Sequence, residues 1–134
     1  MSQILVVEDN ELNREMLSRR LSRRGYTVVC AVNGEEALAM ARARLPDLII
    51  MDIRLPDMSG CQVTRMLKSE PDTRHIPVVA LSAHAMDAHR QEAITAGCDD
   101  YDTKPVDIER LVGKMRALLI GSVKESWNSG EMAA

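Results

Sequence analysis

A chain of 134 residues has the length of one globular domain, and an apolar share of 46% is enough for a packed core. A formal net charge of −3 speaks against a nucleic-acid surface, which needs a clustered basic patch. No apolar run reaches the length of a membrane span and the N-terminus has no signal-peptide pattern, so a cytoplasmic protein with no nucleic-acid and no membrane partner is expected.

The first apolar run, Ile4-Leu5-Val6-Val7, reads as a short buried strand and stops at Glu8-Asp9-Asn10. Leu12, Met16, Leu17 and Leu21 are expected on the buried face of a helix that Gly25 ends. Residues 26–31 are rich in β-branched side chains and read as the second strand. Asn33-Gly34 turns the chain into a helix carrying Ala37, Leu38, Ala41 and Leu45, closed by Pro46-Asp47. Leu48-Ile49-Ile50-Met51 is the third strand and ends at Asp52. A loop over residues 56–60 leads to a helix with Val63, Met66 and Leu67 facing inward. The fourth strand, residues 77–81, ends at Ser82; a helix over residues 88–96 stops at Gly97. A weak strand around Tyr101 ends at Lys104-Pro105, and a last helix is expected over about residues 107–120. The tail, residues 122–134, has no periodic apolar face and is expected to fray, with Trp127 as its anchor candidate. Cys30, Cys61 and Cys98 show no metal or pairing spacing and are expected as reduced, mostly buried thiols.

Strands one, three and four are continuous apolar runs, the mark of burial on both faces in a parallel sheet. Five βα units with right-handed crossovers give a doubly wound, flavodoxin-like (βα)5 α/β domain of strand order 2-1-3-4-5. Ligands in such sheets bind beyond the carboxyl ends of the strands, where the strand order reverses. Those ends carry Glu8, Asp9, Asp52, Ser82 and Lys104. Three carboxylates at about 5 Å repel by roughly 3 kcal/mol per pair at an effective dielectric near 20, a cost that a hard divalent ion such as Mg²⁺ removes. Gly-rich phosphate loops are absent, so phosphate chemistry there needs a bridging metal.

Val7-Glu8-Asp9-Asn10, Met51-Asp52-Ile53 with Leu55-Pro56 and Gly60, Leu81-Ser82-Ala83 and Lys104-Pro105 resemble, in order and spacing, the receiver domains of two-component response regulators. The resemblance covers about residues 3–120, and the wording Glu8-Asp9-Asn10-Glu11-Leu12-Asn13 with residues 75–80 is most similar to single-domain regulators of the DivK type. It implies a receiver domain over residues 1–121 followed by a tail, partly disordered, over residues 122–134. It also implies that Asp52 takes a phosphoryl group from phosphohistidine, and that Mg²⁺ is held by Asp9 directly, by Glu8 (in place of the family's second Asp) directly or through a water, by Asp52 and by the backbone carbonyl of Arg54. Ser82 and Lys104 would contact phosphoryl oxygens, Tyr101 would rotate inward as Ser82 moves, and the Lys104-Pro105 bond would be cis.

The implied partners are a histidine kinase or histidine phosphotransfer protein, docking over the first helix near Asn13 and Arg14, and an output protein on the face of helix four, strand five and helix five. The chain is expected to be a switch rather than an enzyme. Alternatives are a receiver module from a hybrid histidine kinase, although Met1 and the tail favour a free-standing chain, and an interaction module that never carries phosphate. A phosphohydrolase using a strand-one Asp is opposed by the lack of DxD spacing in Glu8-Asp9-Asn10. Ser82 read alone could cap the following helix, and Asp52 alone could cap a helix or turn. His75, His84 and His89 are expected at the surface; His84 and Arg54 should overlook the phosphoryl group and tune its hydrolysis. The cluster Arg19, Arg20, Arg23 and Arg24 is expected as a solvated helix face.

Overall fold

The apolar runs become strands and the amphipathic stretches helices, in alternation: β1 (Gln3–Val7), α1 (Glu11–Arg23), β2 (Thr27–Ala31), α2 (Gly34–Arg44), β3 (Leu48–Asp52), α3 (Gly60–Ser69), β4 (Val78–Ser82), α4 (Asp87–Ala96), β5 (Asp100–Thr103) and α5 (Ile108–Glu131). The structure is a computed structural model and describes residues 2–83 and 87–131. All neighbouring strands pair in parallel in the order β2-β1-β3-β4-β5, the expected flavodoxin-like arrangement.

Alternate side chains of the central strands feed two separate apolar layers, as a pleat of period two requires. Leu5, Val7, Ile49, Met51, Val78 and Ala80 face α2, α3 and α4. Ile4, Val6, Leu48, Ile50, Val79 and Leu81 face α1 and α5, where Leu17, Leu21, Leu111 and Met115 meet them. Burying each aliphatic side chain contributes roughly 1.5–3 kcal/mol, so these layers fix the sheet and with it the strand ends. Asn10 caps α1 by accepting the Asn13 N–H at 3.0 Å, and Ser59 with Gln62 forms a capping box on α3. Gly25 and Gly97, at φ +93° and +107°, let the chain turn back after α1 and α4.

Four details differ from the pattern read in the sequence. Leu45 is not carried by α2 but follows it as a left-handed cap, and is 51% exposed. Leu12 is 76% exposed, because it lies five residues before Leu17 and hence about 140° around the helix; Leu17 and Leu21 carry the contact. Met66 is also exposed, while Val63 and Leu67 are buried. Helix α5 continues to Glu131 rather than stopping near residue 120, since no proline interrupts it and glycine weakens a helix without forbidding it. The contacts of Trp127 lie outside the described residues. Cys61 and Cys98 are buried and Cys30 is half-buried, all as free thiols.

Candidate functional site

The switch point falls between β1 and β3, so the chain leaving β1 meets the end of β3 directly. Glu8 extends β1 by donating its N–H to the Ala31 carbonyl at 3.1 Å, and its side chain is buried. Asp9 beside it is exposed. The first turn of α1 braces this acidic pair: Asn10 donates its N–H to Glu8 Oε1 at 3.3 Å, and Arg14 Nη1 reaches back to the carbonyls of Glu8 (3.0 Å) and Asp9 (3.4 Å). Asp52, 4% exposed, accepts the Arg54 N–H on Oδ1 at 3.0 Å. Gly60 lies flat against its backbone; a Cβ there would stand 2.2 Å from the Asp52 carbonyl oxygen, so only glycine lets α3 start so close. Ser82 is buried at the end of β4, and Lys104 follows β5 with its N–H on the Ser82 carbonyl at 2.8 Å. The Lys104-Pro105 bond is cis, as the sequence resemblance implies.

The Lys104 ammonium lies 2.9 Å from Glu8 Oε2 and 3.0 Å from Asp52 Oδ2. One carboxylate oxygen each from Glu8, Asp9 and Asp52 falls within 4.8 Å of the others. The Asp52 carboxyl is raised from its usual 3.8 to about 6: burial is the largest cause, the Lys104 hydrogen bond opposes it, and the Glu8 charge adds to it. Burial lowers the pKa of Lys104, but its bonds to Glu8 and Asp52 prevail and raise it. Three carboxylates face one ammonium, and the two surplus negative charges in a cleft of about 280 Å³ suit a hard divalent cation bound by oxygen.

Glu8, Asp9, Asp52, Arg54, Ser82 and Lys104 therefore line one cleft. Tyr101 does not: it is buried on β5, in the apolar layer under α2, α3 and α4. The segment that leads from Ser82 and Ala83 into α4, on which the helix-cap reading of Ser82 turns, lies outside the described residues. His75 is exposed, and His89 is half-buried beside Arg54 and Ser82 in a neighbouring cleft. His84 lies outside the described residues. The bracing by Arg14 was not legible beforehand; its one signal is its place four residues after the cap Asn10, one turn into α1.

The response regulator receiver domain family matches residues 4–116. The polar-differentiation response regulator DivK of Brucella anthropi is 40% identical over 116 residues, covering 87% of this chain and 94% of that protein. The chemotaxis protein CheY4 of Vibrio cholerae superposes with a TM-score of 0.83 at 29% identity, over 88% of this chain and 98% of that one. The receiver domain of a sensor histidine kinase from Pseudomonas aeruginosa, with magnesium coordinated in its active-site cleft, superposes at TM-score 0.82 and 32% identity, over 88% of this chain and 97% of that one. With the fold, the cleft and these matches in agreement, the chain belongs to the response regulator receiver domain family, the signalling module of two-component systems.

Proposed function

We propose that the chain takes a phosphoryl group from a phosphohistidine onto Asp52 and signals by the change of surface that follows. The convergence of Glu8, Asp9 and Asp52 around one lysine carries this reading. Glu8, Asp9, Asp52 and the Arg54 backbone carbonyl would hold Mg²⁺, which when bound neutralises the charge gathering on the phosphoryl oxygens. The Asp52 carboxylate attacks phosphorus; the P–N bond breaks, the O–P bond forms, and the imidazole leaves with a proton. Lys104, freed from its carboxylates, pairs with one phosphoryl oxygen, and the Ser82 hydroxyl donates to another. The chain is thus a switch acting on itself rather than an enzyme turning over external substrate.

The phosphoryl group brings about −2 charge where Asp52 had −1. Ser82 and Lys104 close on it, Tyr101 follows on β5, and the face of α4, β5 and α5 is remodelled for an output protein. The histidine kinase or phosphotransfer protein docks over α1 and the cleft rim. The magnesium-loaded Pseudomonas relative supports the metal, and the family match over residues 4–116 supports a receiver over residues 1–121, with the tail over residues 122–134 continuing α5 as far as Glu131. Incubation with acetyl phosphate and Mg²⁺, read by intact mass, should add one phosphoryl group to the wild type and none to Asp52→Asn. A label that persists in Asp52→Asn, or never forms, defeats the reading and leaves the phosphate-free interaction module.

A further inference from the structure

The loop between β3 and α3 carries Arg54, and the way its tip is fastened reaches beyond the cleft. Arg54 and Ser59 face each other in an isolated antiparallel bridge, so residues 55–58 form the tip of a closed loop. That tip rests on α2. The Asp57 carboxylate accepts the N–H of Gly34 on Oδ1 at 2.8 Å and the N–H of Glu35 on Oδ2 at 2.9 Å. Met58 packs so closely over Gly34 that a Cβ there would stand 2.4 Å from its Cγ. The next N–H of the helix, that of Glu36, is taken by the local cap Asn33 at 2.8 Å. A helix N-terminus needs acceptors, but a carboxylate from a residue 23 positions away is not the nearest way to supply them. The two bonds also hold the Asp57 carboxyl below its usual range.

At its base the same loop is tied to Asp52: the Arg54 N–H donates to Asp52 Oδ1 at 3.0 Å, and the Gly60 N–H to the Ile53 carbonyl at 2.8 Å. With base and tip both pinned, the backbone of Arg54 has one orientation relative to Asp52. We propose that Asp57 is a positioning residue for the metal site, clamping the loop tip to α2 so that the Arg54 carbonyl is held ready for the cation. This rests on the Mg²⁺ reading of the cleft. Outlying groups that orient a metal ligand typically affect affinity by about 10-fold or more.

The test compares Asp57→Ala with Asn33→Ala, which removes a cap from the same helix turn but leaves the loop tethered. The readouts are the Mg²⁺ dissociation constant by isothermal titration calorimetry and the Mg²⁺ concentration that half-saturates labelling by acetyl phosphate, with melting temperature measured alongside. Asp57→Ala should raise both Mg²⁺ values about 10-fold, with the rate at saturating Mg²⁺ within about twofold of wild type. Asp57→Asn, which keeps one acceptor oxygen, should fall between. Asn33→Ala should lower the melting temperature yet leave the Mg²⁺ dependence unchanged. Equal shifts in Asp57→Ala and Asn33→Ala, or no shift in Asp57→Ala, overturn the positioning role. A wild type that labels without any Mg²⁺ dependence overturns the metal reading itself, and the clamp with it.

Discussion

Two lysine–carboxylate clusters sit at opposite ends of the sheet, and they differ in charge balance. At the amino end, Lys68 donates to the carbonyls of Arg74 (3.2 Å) and Ile76 (2.8 Å) and to Asp99 Oδ2 (3.0 Å). Asp99 Oδ2 in turn accepts the Val78 N–H at 2.8 Å. One cation meets one anion there, and the lysine's three donors are used. At the carboxyl end, Lys104 is shared between Glu8 and Asp52 with Asp9 alongside, and the balance stays negative. The same residue types thus lock two loops together at one rim and leave a demand for positive charge at the other. Matched charges serve the fold; mismatched charges await a ligand.

The largest expected effect comes from removing the mismatch. Asp52→Asn should abolish labelling and stabilise the protein in chelator by on the order of 2 kcal/mol, read as a higher melting temperature. The sign follows from a folded pKa of about 6 against the usual 3.8: ionisation is disfavoured in the fold, so the wild type in chelator loses stability as pH rises from about 4 to about 6, and Asp52→Asn does not. A lower melting temperature for Asp52→Asn in chelator would contradict the account. Breaking the matched cluster should do the opposite. Lys68→Met should cost about 2 kcal/mol in denaturant unfolding, because it strips a donor from two carbonyls and a carboxylate, while labelling proceeds normally.

A smaller effect sharpens the comparison without mutation. Mg²⁺ at 10 times its dissociation constant should stabilise the wild type by about 1.4 kcal/mol, and Asp52→Asn by clearly less. Equal stabilisation of both would place the ion elsewhere. The smallest expected effect is on Arg54, one of the residues lining the cleft next to Asp52. Arg54→Ala should change the lifetime of the phosphorylated form by about twofold or more, or some 0.4 kcal/mol in the hydrolysis barrier. An unchanged lifetime would remove Arg54 from any part in hydrolysis.

The sheet was legible because β1, β3 and β4 each hold four consecutive apolar residues, and only burial on both faces accounts for such runs. The cleft was legible for a topological reason: its chemical groups sit at strand ends, and the strand order dictates which ends are neighbours. What escaped depends on conformation rather than pattern. The spacing of Leu12 and Met16 permits two helix faces, and packing chose the one led by Leu17 and Leu21. Arg14 and Asp57 act through backbone groups of other segments, which no residue type announces. Strand β5 read as weak because Asp-Tyr-Asp-Thr lacks an apolar run; its inner acid, Asp102, is held by Arg110 Nε at 2.8 Å.

That inward aspartate bears on how the molecule behaves at high concentration. A parallel sheet has an unguarded margin wherever its last strand faces solvent, and such margins invite other extended chains to add on. Here the margin is four residues long, flanked by Asp100 and stiffened by Asp102, whose Oδ2 finds no hydrogen-bond partner among the described residues. A short border carrying buried charge is a poor template for further pairing. The domain can therefore keep Tyr101 on this edge strand, and Lys104 just beyond it, without turning the strand into a seed for aggregation.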